Sequence, residues 1–224
     1  GGRGAGAPTT TAGPVARPAP ETTRPPVAPL PGAALGGVLW GATSLDRSVG
    51  PPEAMERRDN PDSVCGTGNF SMRATDATAY AGVGFVATDP APETAEYFIE
   101  EIYGFESEAD ARAAVDAQRR GVAGGESYDD DRTFDGIATV AELSLLEEGA
   151  LGADVAMLLT WTAVEDGPGA DAAGYSLVTY TVAGRTVVIV TYQIFGEDLT
   201  RPTYVEPANM AELVAVATER AADL

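Results

Sequence analysis

The chain has 224 residues, 14 basic and 34 acidic side chains, no histidine and a single cysteine, for a formal net charge of -20. A body this acidic is repelled by nucleic-acid phosphates and by an anionic bilayer surface, so neither is expected as a partner. With every base an arginine and no imidazole, the usual base for a Ser, Cys or Thr nucleophile and the usual transition-metal ligands are missing, which argues against an enzyme, a metal site or a cofactor.

Residues 1–35, "GGRGAGAPTTTAGPVARPAPETTRPPVAPLPGAAL", hold almost nothing large and apolar. They cannot bury enough surface to offset their ordering entropy and are predicted to be a disordered stalk. Extended proline-rich chain gives such a stalk a reach of up to about 100 Å at ~3.1 Å per residue. An interdomain linker or a plain disordered end fits the same composition, and the Thr–Pro clusters leave room for O-glycans. The stalk carries Arg3, Arg17 and Arg24 against Glu21, so the acidic charge belongs to residues 36–224. No run approaches the ~20 apolar residues of a membrane span. Membrane attachment is therefore expected only through a lipid or transmembrane anchor outside these residues, and Cys65 is too far along the chain to be an acylated first residue.

From residue 36 apolar residues rise. "GATSLDRSVGPPEAM" (41–55) reads as a short helix that Thr43 or Ser44 could cap and Gly50-Pro51-Pro52 would end. "TAYAGVGFVATD" and "EYFIEEIYGF" read as strands across the turn-rich "PAPET". "SEADARAAVDAQRRGVAGG" then reads as a helix, with Ser107 and Asp110 approximating a capping box, Ala111, Ala114, Val115 and Val122 as its apolar stripe, and Gly124-Gly125 as its stop.

"FDGIATVAELSLL", "DVAMLLTWTAVE", "YSLVTYTV" and "TVVIVTYQIF" are four more strands, the last two joined across Ala183-Gly184 as a tight hairpin. "PANMAELVAVATERAADL" closes the chain as a helix with Met210, Leu213, Val214 and Ala217 on one face. Strand-strand-helix, several strands, then helix is not an alternating βα order. It predicts one α+β domain over 36–224, an antiparallel sheet with helices packed on one side.

Several of these stretches, in this order, resemble the PknH-like extracellular sensor domain family. "LGGVLWGATSLDRSVGPPEAM" is similar to its opening helix and the Met-containing segment after it. "DSVCGTG" followed by "ATAYAGVGFVA" is similar to its Cys-containing turn and Tyr-Ala-Gly strand. "IYGFESEADARAAVDAQRRGV", "GRTVVIVTYQIFG" and the alanine-rich terminal helix complete the likeness, over about residues 30–224. The resemblance implies an actinobacterial cell-envelope domain, borne by a transmembrane kinase or as a lipoprotein, extracytoplasmic and non-catalytic, that binds a small molecule or envelope component.

The resemblance also gives Cys65 a context. Such domains usually carry disulfides; the partner expected near Gly124-Gly125 is absent, and so is a later pair in the terminal hairpin. Cys65 then reads as the remnant of a lost bridge. An inert buried thiol, an intermolecular disulfide and a reactive thiol stay open beside it, although no neighbouring base lowers its pKa.

Other constellations are weaker. Asp129, Asp131 and Asp135 in "SYDDDRTFDG" fall at positions 1, 3 and 7 of a calcium-type loop, but Phe134 stands where glycine is needed and Val140 where glutamate is needed. A solvated acidic turn is the better reading there, and in "EDGPGADAAG" (165–174). The bacterial origin that the resemblance implies would leave the sequon at Asn69 without weight. In the hairpin, Val178, Tyr180, Val187 and Ile189 share one face; Tyr175, Leu177, Thr179, Val188, Val190 and Tyr192 share the other. Both faces are apolar, so one packs on helices and the other needs a cover, either more protein or a ligand. Tyr175, Thr179 and Tyr192 are the candidate ligand contacts; Trp40 and Trp161 are read as core. Two further functions stay open: an accessory lipoprotein docking a basic protein partner, and a hydrolase built on two carboxylates about 5–9 Å apart.

Overall fold

The computed structural model describes residues 31–41, 45, 48–55, 77–88, 94–123, 133–134, 137–163, 173–196 and 210–224. Over these residues the chain forms α1 (Gly32–Gly36), β1 (Glu53–Ala54), β2 (Ala79–Val86), β3 (Thr94–Gly104), α2 (Glu108–Ala123), β4 (Thr133–Phe134), β5 (Ile137–Leu145), β6 (Val155–Ala163), β7 (Ala173–Ala183), β8 (Thr186–Gly196) and α3 (Met210–Ala222). A 3-10 turn at Ala150–Gly152 links β5 to β6. The strands make one sheet in the order β1-β2-β3-β8-β7-β6-β5-β4, and every pairing is antiparallel.

Sequence neighbours pair everywhere except between β3 and β8, where the last strand returns to lie beside the third. Its register on β3 runs from Thr94↔Gly196 to Gly104↔Thr186, and on β7 from Ala173↔Gly196 to Ala183↔Thr186. This places β8 in the interior of the sheet, and its run Thr186–Gln193 is buried throughout. A near-continuous apolar stretch is what a strand covered on both faces requires.

Alternation along the strands sorts the core into two clusters. One face carries Phe98, Ile102, Leu177, Val188, Val190 and Tyr192 under α1 and α3, where Leu35, Met210, Leu213, Val214, Ala217 and Ala221 are buried. The opposite face carries Tyr103, Val155, Met157, Val178, Tyr180, Val187 and Ile189 under α2, through Ala111 and Val115. The antiparallel α+β sheet is as expected. Packing on one side holds for α1 and α3, whereas α2 supplies the cover that the second face needed. That helix is further pinned by Gln118, whose Nε2 donates to the Tyr180 hydroxyl at 3.1 Å, and by Arg119, which donates to the Asp154 carbonyl at 2.6 Å.

Local signals held where they were strong. The Asp110 N–H donates to Ser107 Oγ at 3.2 Å, and the Ser107 hydroxyl donates to the Asp110 carboxylate at 2.5 Å, capping α2. Trp40 and Trp161 are both buried. The hairpin turn is displaced by one residue: Ala183 pairs Thr186, so the connection is Gly184-Arg185, with Gly184 at φ 57°. Because the register moves by two, each side chain keeps its expected face, and Tyr180 meets Ile189.

The helix expected over 41–55 is not found among its described residues. Val49 instead bridges Ala87, and Glu53–Ala54 pairs Gly84–Val83 as an edge strand. Gly50, Pro51 and Pro52 favour extended chain, and the free edge of β2 offers it hydrogen bonds. The first helix lies upstream, at α1, with Leu35 fully buried, inside the stretch read as stalk. Residues 1–30, Cys65 and the aspartates at 129, 131 and 135 lie outside the described residues, as do Gly124-Gly125 and Asn69.

Candidate functional site

Strand β3 reads "TAEYFIEEIYG", and three of its side chains are glutamates with exposures of 3 % (Glu96), 0 % (Glu100) and 2 % (Glu101). In a chain with acid to spare for its surface, carboxylates at the centre of a sheet are costly unless partnered. Glu100 and Glu101 are adjacent, so the pleat sends them to opposite faces. They therefore cannot flank one bond as a hydrolase's acid pair must.

On the α2 face, Glu101 Oε1 accepts hydrogen bonds from the Tyr80 hydroxyl at 2.8 Å and the Tyr103 hydroxyl at 3.4 Å. The two rings stand 5.0 Å apart. Gly82, directly opposite Glu101 in the β2–β3 register, makes this arrangement possible. A Cβ there would stand 2.5 Å from the Tyr80 hydroxyl oxygen and 2.9 Å from Met55 Cβ, closer than real Cβ contacts come. Gly82→Ala is expected to push Tyr80 off Glu101 and to lower stability by about 1–3 kcal/mol, the range for overpacking a filled site. Urea unfolding would measure the loss, and a shifted Tyr80 ring resonance would locate it.

Farther along the same face, Ser176 lies directly across from Gln193 in the β7–β8 register. The Ser176 hydroxyl and the Gln193 Nε2 are buried without a hydrogen-bond partner. Beside them Phe195 stacks 5.3 Å from Trp161 and 6.1 Å from Tyr97, lying so close over Gly174 that a Cβ there would meet its ring at 2.5 Å. Ser176 and Gln193 are thus buried polar groups beside aromatic rings, on a face otherwise lined by apolar side chains such as Met157, Val178 and Ile189.

On the α3 face, Glu100 sits between Val83 and Val190. Its Oε2 accepts the Trp40 backbone N–H at 2.6 Å, and its Oε1 is buried with no partner. Burial pushes its carboxyl up from the ordinary 4.5 to about 7, against the opposing pull of the Trp40 N–H and the charge of Arg220.

Tyr175, Thr179 and Tyr192, the candidate ligand contacts, lie together on this α3 face and are buried. Thr179 donates to the Val190 carbonyl at 3.1 Å, Tyr175 meets Tyr192 edge-on at 5.9 Å, and Tyr192 packs on Phe98 at 5.2 Å. Each of the three therefore has a packing or hydrogen-bonding role within the core. Sequence alone does not single out Glu100 and Glu101. Two consecutive carboxylates in a strand were the available signal, since in a central strand at least one must face inward. A cavity of about 130 Å³ where Arg119, Glu147, Glu148 and Asp154 converge is smaller than the roughly 300 Å³ at which ligand pockets begin. No cluster of metal-ligating side chains occurs among the described residues.

No protein-family model matches this chain, and neither does any curated protein. Among solved structures it is similar to the extracellular domain of PknH from Mycobacterium tuberculosis, at 16% identity with a TM-score of 0.50, covering 89% of this chain and 98% of that one. The fold is PknH-like. The likeness spans nearly the whole of both chains. No described helix is long and apolar enough to cross a membrane.

Proposed function

We propose that this PknH-like domain is a non-catalytic, extracytoplasmic sensor-type domain that binds a small molecule or an envelope component, carried at the cell envelope on residues 1–30. The observation that carries this reading is the end-to-end likeness to an extracellular domain, 98% of which is matched. The composition supports it: a chain with no histidine, no lysine and one cysteine lacks the common means of nucleophilic and metal-assisted catalysis. The divergence of Glu100 and Glu101 to opposite faces weighs against the carboxylate-pair alternative. Within the domain, Ser176 and Gln193, beside the Trp161 and Phe195 rings, are polar groups invested in a core that packing alone would fill with apolar ones.

Location is tested by protease shaving of intact host cells that express the full protein with a C-terminal epitope tag. The expected result is loss of the tag signal from intact cells while a cytoplasmic control survives. Protection of the tag until the cells are lysed would contradict the proposal.

A further inference from the structure

Glu100 joins the middle of the sheet to the segment that enters the domain. Its hydrogen bond runs from β3 to the backbone N–H of Trp40, sixty positions away in sequence. The Trp40 ring and Leu35, at either end of that short segment, are buried in the same cluster as the sheet residues around Glu100. The other carboxylate oxygen is buried and has no partner among the described residues. Docking of the segment and dehydration of the carboxylate are therefore coupled: lifting Pro31–Trp40 frees the Trp40 N–H and lets water reach Glu100.

Among the described residues, few charges intervene. From α3, Arg220 is the group whose field reaches Glu100. Helix α1, "GAALG", carries no ionisable side chain. From β2 and β8 the flanking residues are Val83 and Val190. Tyr192, on Phe98 one row along, and Glu96, two rows along, are the ionisable side chains of the strands on this face nearest in register.

We propose that Glu100 is a proton-operated latch that sets how firmly the segment Pro31–Trp40 is docked on the sheet, docked when the carboxyl is protonated and loosened when it is ionised. The sign follows from burial. A hydrated Glu titrates near 4.5 and the docked one near 7, so the docked state holds the proton more tightly. Docking is strongest below the lower value and is lost as pH rises through the upper one. The span between the two corresponds to a change on the order of 10²-fold in the undocking equilibrium. Because this segment connects the domain to residues 1–30, proton occupancy at Glu100 changes the stiffness of the junction, whatever the domain binds.

Hydrogen exchange on the full chain, as protection factors corrected for intrinsic rates between pH 5 and 8, tests the latch. In the wild type, protection of amides 34–40 should fall on the order of 10²-fold across this range while staying below that of β8 throughout, because the segment lifts without unfolding the sheet. Glu100→Gln should abolish the fall. Arg220→Gln, an exposed change that removes the opposing charge, should move the midpoint to higher pH. An unchanged fall in Glu100→Gln, no fall in the wild type, or protection of amides 34–40 equal to that of β8, which would mean that the segment opens only with the whole sheet, would overturn the latch. If Glu100→Gln does not fold, an unmoved midpoint in Arg220→Gln overturns it alone.

Discussion

Glu100→Gln is expected to remove a component of stability that declines by about 3 kcal/mol between pH 4.5 and pH 7, at roughly 1.4 kcal/mol per pKa unit. The sign is opposite to that of an ordinary salt-bridged carboxylate. A group whose folded pKa lies above its unfolded one stabilises fully below the unfolded value, and that stabilisation is gone above the folded value. Glutamine keeps an acceptor for the Trp40 N–H but brings an amide into the place of the unpartnered Oε1, at a cost of about 1–3 kcal/mol. The variant should therefore be less stable than wild type at pH 5 and equal or more stable at pH 8. Because many other acids titrate in both proteins, the quantity to follow is the difference between them, from urea unfolding at each pH. A difference that does not change with pH would mean that Glu100 titrates normally.

The second large effect concerns the opposite face. Trp161→Ala is expected to cost about 3–5 kcal/mol, the range for removing a large buried aromatic side chain. Trp161 is 1 % exposed, and its ring supports Phe195, which in turn covers Gly174. Removing the indole leaves a void beside Ser176 and Gln193, whose buried polar atoms lack partners. Val86→Ala, at a site 39 % exposed, serves as the control and should change stability by less than about 0.5 kcal/mol. Denaturant melts with unchanged slope in both variants would assign the difference to packing.

Much of the architecture was legible because it is written locally. Met210, Leu213, Val214 and Ala217 fall at helical spacing and are buried together, Ser107 precedes α2 with Asp110 three residues on, and the faces of β7 and β8 follow from alternation alone. Pairings between distant segments were not legible. Nothing within "EYFIEEIYGF" states that β3 lies beside β8, and that neighbour decides whether Glu100 is buried or at an edge. For the same reason α2 could not be assigned to a face, and Pro31–Trp40, short and glycine-rich, gives no periodic signal although Leu35 is a core residue. The candidate site was the least legible part. Tyr175, Thr179 and Tyr192 share the expected face, but Glu100, Glu101, Ser176 and Gln193 stand out only when burial and partners are known.

The sensor-type reading is tested most directly by native mass spectrometry of the chain purified from its own host's envelope, beside the same chain refolded from denaturant and then incubated with an extract of that envelope. The expected result is a protomer carrying a discrete surplus mass that is lost on collisional activation, absent after refolding and regained from the extract. A protomer at its bare sequence mass in every preparation would contradict a small-molecule ligand, and association with a second polypeptide in its place would mark the domain as a protein-docking module.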